Sequence, residues 1–114
     1  MAKNTPKLTE SQRADRKIMK KALKDYGGAM FTYPEKGIVV VVVPALQNRL
    51  DSKYVHFAVA QCSESDNFRA KVGQHMALER WFNNQTMSRV STDYLDGAGL
   101  AFIADEIAEF FAPE

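Results

Sequence analysis

Ile38-Val39-Val40-Val41-Val42-Val43, ended by Pro44, is the stretch on which the fold turns. Six consecutive β-branched side chains are stiff at χ1 and suit a pleated strand better than a helix. The proline has no N–H to give to a ladder and closes the run. Successive side chains of a strand point to opposite faces, so an unbroken run places valine or isoleucine on both. A half-exposed antiparallel strand would alternate apolar with polar residues instead. This strand therefore belongs in a sheet covered on both sides. Two arrangements supply the cover: the last helix of the chain lies on the second face, or a second copy or a partner protein docks there.

Reading outward, residues 30–33 form a short strand joined to the valine run through Pro34-Glu35-Lys36-Gly37, a tight turn with glycine where positive φ is needed. On the other side, residues 45–52 read as a polar loop and residues 54–61 as a third strand, with His56 on a sheet face beside Tyr54 and Ala58. Helices flank the strands. Thr9 with Gln12 three residues on makes a capping box that opens a helix over residues 10–26, stopped by Gly27-Gly28. A second helix is expected over residues 66–82, capped by Ser63 or Ser65 with Asp66 in its first turn, and closed by Asn83-Asn84-Gln85. Ser91, Thr92 or Asp96 caps a last helix whose firm part is residues 98–111, with Leu100, Ile103, Ile107 and Phe110 as its docking positions. The order is α-β-β-β-α-α. It predicts an α+β fold in which a three-stranded antiparallel meander packs against helices. Residues 1–8 are expected to be a flexible leader and residues 9–114 a single α+β domain.

At 114 residues, with 46% hydrophobic and 25% charged residues, the chain is large enough to bury a core without metals or disulfides. The single cysteine, Cys62, has no partner for an internal disulfide. No apolar segment follows Met-Ala-Lys-Asn at the start, and no run approaches the length of a membrane span. The expectation is a cytoplasmic protein with no membrane partner.

A net charge of +1 conceals a division. Residues 1–53 hold eleven Lys/Arg against five Asp/Glu, and residues 54–114 hold four against nine. Much of the positive charge gathers on the first helix. At 100° per residue Arg13, Lys17, Lys20 and Lys24 form one stripe, widened by Arg16 and Lys21, with Ile18, Met19, Ala22, Leu23 and Tyr26 on the opposite arc. A concentrated basic face is the electrostatic footprint of a polyanion binder. These six cations are the candidate nucleic-acid-binding residues, and Tyr33, Tyr54 and Trp81 are candidate stacking residues where exposed.

Chemistry-bearing patterns are few. The chain has no glycine-rich phosphate loop, Cys-x-x-Cys, His-x-x-x-His or Gly-x-Ser-x-Gly. Cys62 with His75 as base is the one nucleophile and base pair to consider, but free cysteine after an apolar strand is most often a buried structural residue. Neither catalysis nor a cofactor or metal is expected.

Cys62-Ser63-Glu64-Ser65-Asp66-Asn67-Phe68, continuing to Gly73, Ala77 and Arg80, has the form C-S-x-x-D-x-F-x-x-x-x-G-x-x-x-A-x-x-R. This resembles a motif in small uncharacterised accessory proteins of tailed bacteriophages, over about a quarter of the chain. The resemblance implies a phage-type accessory protein in the host bacterial cytoplasm, acting on nucleic acid or on a host factor. Gln74 and Glu79 stand where that motif is more basic. The α-β-β-β-α order is also similar to that of double-stranded RNA-binding domains, whose first helix and second-helix N-terminus touch nucleic acid. Their Lys-Lys-x-Ala-Lys signature is replaced here by Ser65-Asp66-Asn67-Phe68-Arg69-Ala70-Lys71.

Two functions follow as expectations. One is a non-enzymatic protein that binds DNA or RNA through the basic face of the first helix. The other is a protein-binding module that inhibits or redirects a host factor through an apolar sheet face and the acidic last helix; an acidic protein surface in place of DNA or RNA, and a homodimer, are the further partners to consider.

Overall fold

The structure, a computed structural model, describes residues 8–44, 54–61, 69–90 and 99–112. Among the described residues, three helices and four strands follow one another as α1 (Glu10–Asp25), β1 (Ala29–Tyr33), β2 (Ile38–Pro44), β3 (Tyr54–Gln61), α2 (Ala70–Phe82), β4 (Met87–Val90) and α3 (Gly99–Phe111). The α+β class is as expected, but the sheet has four antiparallel strands in the order β1-β2-β3-β4 rather than three. The added strand, β4, pairs Met87 with Phe57 and Val90 with Tyr54. Its four residues, Met-Ser-Arg-Val, carry too short a pattern to announce a strand alone; the open edge of β3 supplies the pairing.

The valine run behaves as its composition demands. Every residue of β2 is buried, and the two faces feed two separate cores. Ile38, Val40 and Val42 pack with Val55, Phe57 and Val59 against Ile103, Ala104, Ile107 and Ala108 of α3. Val39, Val41 and Val43 pack with Ala58 and Ala60 against Met19 and Leu23 of α1 and Ala77 and Leu78 of α2. The result is a three-layer arrangement, with α1 and α2 on one face and α3 on the other. Since α3 covers the second face, β2 needs no second copy or partner to bury it.

Local chemistry sets the boundaries. The capping box forms as expected: the Gln12 amide donates to Thr9 Oγ1 at 3.1 Å, and the Thr9 amide donates to Gln12 Oε1 at 2.9 Å. At the other end of α1, Gly27 has φ of 78° and its amide donates to the Lys24 carbonyl, while the Gly28 amide donates to the Leu23 carbonyl. This is the Schellman closure that a left-handed glycine permits. Asn84 does the same for α2, with φ of 61° and the Gln85 amide donating to the Arg80 carbonyl. At the entry to α2, Arg69 is extended and the helix begins at Ala70. Residues 66–68 and the expected caps Ser63, Ser65, Ser91, Thr92 and Asp96 lie outside the described residues, as do residues 1–7 and 45–53.

Two helices are rolled relative to their expected faces. On α1 the buried residues are Met19 and Leu23, while Ile18 is 63% exposed and Tyr26 is also exposed. On α3 the buried residues are Ile103, Ala104, Ile107 and Ala108, and Phe110 is 82% exposed. The reason on α3 is shape. The alanines let the helix approach a sheet already filled by valines, and Phe111 takes the core position that Phe110 was expected to fill, its ring 6.4 Å from Phe57.

Candidate nucleic-acid interface

Besides the apolar core they share, α1 and α2 are joined by a hydrogen bond and a ring contact. Near the middle of α1, Arg16 Nη1 donates to Gln74 Oε1 at 3.0 Å. At its end, Tyr26 meets Trp81 edge to face, with ring centroids 5.9 Å apart. The pairs 16 with 74 and 26 with 81 ascend together, so the two helices run in the same direction. Trp81 also packs edge-on against Phe82 at 5.8 Å.

This docking divides the six candidate cations. Arg16 leaves the solvent face: it is half-buried, bonded to Gln74, and its Nε is buried without a hydrogen-bond partner among the described residues. Arg13 is exposed but spends one guanidinium N–H on the Leu8 carbonyl at 3.0 Å. Lys21 lies 3.8 Å from Asp25, an exposed i, i+4 pair. Lys17, Lys20 and Lys24 are exposed and have no carboxylate partner among the described residues. At 100° per residue these three fall within an arc of about 60°. Lys17 and Lys24 are separated by about 10 Å along the axis at 1.5 Å per residue.

The stripe borders a depression of about 270 Å³ between α1 and the start of β1. Lys20 and Lys24 stand on one side, Gly28, Met30 and Thr32 on the other, with Gln74 also lining it. A polar relay runs beneath: Arg16 donates to Gln74, and Gln74 Nε2 donates to Thr32 Oγ1 at 3.0 Å. The Thr32 hydroxyl accepts that bond and keeps its own proton to donate. Two ammonium groups beside a hydroxyl donor form a chemistry suited to an anionic oxygen. Thr32 and Gln74 were not legible in the sequence, because 42 residues separate them and only the fold brings them together.

The aromatic candidates take other places. The Tyr33 hydroxyl donates to Asp105 Oδ1 at 2.6 Å and ties β1 to α3. Burial, and then the hydrogen bond to the Asp105 carboxylate and its charge, push the Tyr33 phenol well above its ordinary range. Trp81 is half-buried in the clasp at the ends of α1 and α2. The Tyr54 side chain lies outside the described residues.

His56 Nδ1 is 2.8 Å from Ser88 Oγ, a link between β3 and β4. His75 is buried in α2, and Cys62 lies outside the described residues. Of the phage-like pattern, Ala77 is fully buried in the α1/α2 core. Arg80 Nη1 donates to the Val59 carbonyl, beyond the point where β4 stops pairing with β3. That arginine therefore satisfies a sheet edge. Among the described residues no three His, Cys, Asp or Glu gather to hold a metal, and no helix is long and apolar enough to cross a membrane. The chain matches no protein-family model, no curated protein and no solved structure.

Proposed function

We propose that this protein binds nucleic acid without sequence preference, holding backbone phosphates with Lys17, Lys20 and Lys24 of α1. The observation that supports the reading is the alignment, on a docked helix, of three exposed ammonium groups with no carboxylate partner among the described residues, beside a depression lined by Thr32 and Gln74. Lysines act as point charges and do not offer the bidentate geometry that discriminates bases. Lys71, in the first turn of α2, is also exposed. The setting in this reading is the one implied by the pattern from Cys62 to Arg80: an accessory protein of tailed-phage type in the host cytoplasm.

The test is a salt-titrated binding measurement with labelled single- and double-stranded DNA and RNA. Three phosphate contacts on duplex DNA should give a slope of log affinity against log salt near −2.7, since each neutralised phosphate contributes about −0.9. Lys20→Ala should make the slope shallower by about 0.9, whereas Arg16→Ala should leave it unchanged because Arg16 is committed to Gln74. Triple replacement of Lys17, Lys20 and Lys24 by Glu should abolish binding while the circular dichroism spectrum stays that of the parent. Absence of binding to all four nucleic acids at low salt refutes the proposal.

A further inference from the structure

The layer opposite α1 presents a second surface of contrary character. A groove of about 880 Å³ runs between the end of α3 and the β3–β4 side of the sheet. Phe57 and Ile107, both buried, belong to its lining, and Met87, Phe110 and Glu109 are exposed along it. The Phe110 ring stands edge-on to Phe111 at 5.1 Å, so it has a packed neighbour. On α3, Phe102, Glu106 and Phe110 follow one another at i, i+4 and i+8, and both phenylalanines are exposed. Every charged side chain of α3 is acidic: Asp105, Glu106 and Glu109.

We infer that this groove docks a protein segment that carries lysine or arginine next to a large apolar side chain. Charge selects the occupant. Beside exposed Glu109, a cationic group is favoured over a phosphate or an anionic lipid headgroup, since the charged side chains that α3 brings to the groove are carboxylates. A two-fold pairing of one α3 with another copy's α3 would set Glu109 and its neighbours against their own equivalents. A basic partner with an aromatic or aliphatic anchor answers both features: the anchor enters beside Phe110 and Met87, and its cations meet Glu109. Since α1 and α3 lie on opposite faces of the sheet, this docking is independent of the lysine stripe.

Selection of a random-peptide library against the full chain tests the inference. Enriched sequences should combine Lys or Arg with Trp, Phe or Leu. A synthetic peptide of the enriched sequence, followed by fluorescence anisotropy, should lose about tenfold or more in affinity on Phe110→Ala and on Glu109→Lys, a loss of about 1.4 kcal/mol or more. Both positions are exposed, so both variants should melt like the parent; if Phe110→Ala melts early, Glu109→Lys alone carries the comparison. Duplex DNA added at saturation should leave peptide affinity unchanged. The inference is overturned by selection of no peptide above background or by enriched peptides lacking cations. Affinity indifferent to Glu109→Lys overturns it too, as does self-association of the free chain that Phe110→Ala abolishes, which would make a second copy the occupant.

Discussion

Gly28 shows how a single residue ties α1 to the sheet. A Cβ there would lie 2.6 Å from Leu23 Cδ1, 2.9 Å from Val43 Cγ2 and 2.9 Å from the Val42 carbonyl oxygen. A side chain can turn aside, but the Val42 backbone is held in the ladder, so Gly28→Ala should cost about 1–3 kcal/mol by overpacking. Urea unfolding checks this, and an unchanged midpoint would refute it. Tyr33 gives a pH dependence. Its folded-state pKa is raised above the ordinary value of 10.0, so the protonated phenol is favoured in the fold. The stabilisation is full below pH 10 and is lost as pH rises above it, where the unfolded chain begins to release the proton. The stability difference between the parent and Tyr33→Phe should therefore be constant at neutral pH and shrink in alkali. A difference that grows above pH 10 would contradict the assignment. Arg16 illustrates why residue roles were only partly legible: its helical angle is near both the lysine stripe and the Met19–Leu23 face, and the position of Gln74 on another helix decides between them.

Among the elements, α1 and α3 are written in different ways. The start of α1 was readable because the capping box is a contact between residues three apart. Thr9→Ala should cost about 1 kcal/mol, measured as a lower melting temperature with little change in spectrum. The burial face of α3 was only half readable. Ile103 and Ile107 declare it, but Ala104 and Ala108 contribute through their smallness, which a search for large apolar residues passes over. Ile103 is fully buried against the sheet. Ile103→Asp should lose several kcal/mol, because it leaves a charge unpaired in that core, whereas Phe110→Ala should lose almost nothing. Equal stability of the two variants would show that α3 does not pack as described. β4 was missed because its stability comes from pairing with β3, not from its own four residues.

For the whole molecule, β2 is the shared wall of two cores, so neither layer should melt alone. Trp81, the only tryptophan, reports the α1/α2 layer. Its fluorescence should lose the folded signal at the same urea concentration as circular dichroism, which sees all elements. Ile103→Asp, in the opposite layer, should shift both transitions together. A Trp81 transition that stays in place while the circular dichroism transition moves would show two separable halves. The same layering separates charge, with the lysine stripe on one face of the sheet and the acidic, phenylalanine-bearing groove on the other.

The sequence by itself determined whatever rests on neighbours along the chain. The capping box at Thr9, the glycine stop at 27–28, the turn at 34–37 and the two-faced burial of the valine run all depend on local geometry or on the period of a strand. Tertiary structure alone decided what depends on contacts between distant segments. The fourth strand, the roll that exposes Ile18 and Phe110, and the removal of Arg16 from the cationic face all belong here. So does the joining of Thr32 with Gln74 beside Lys20 and Lys24. Helical periodicity states how apolar and charged residues are distributed around an axis. Which part of that circumference is buried is set by the shape of the opposing surface, and here that surface is a valine sheet on which small residues pack closest.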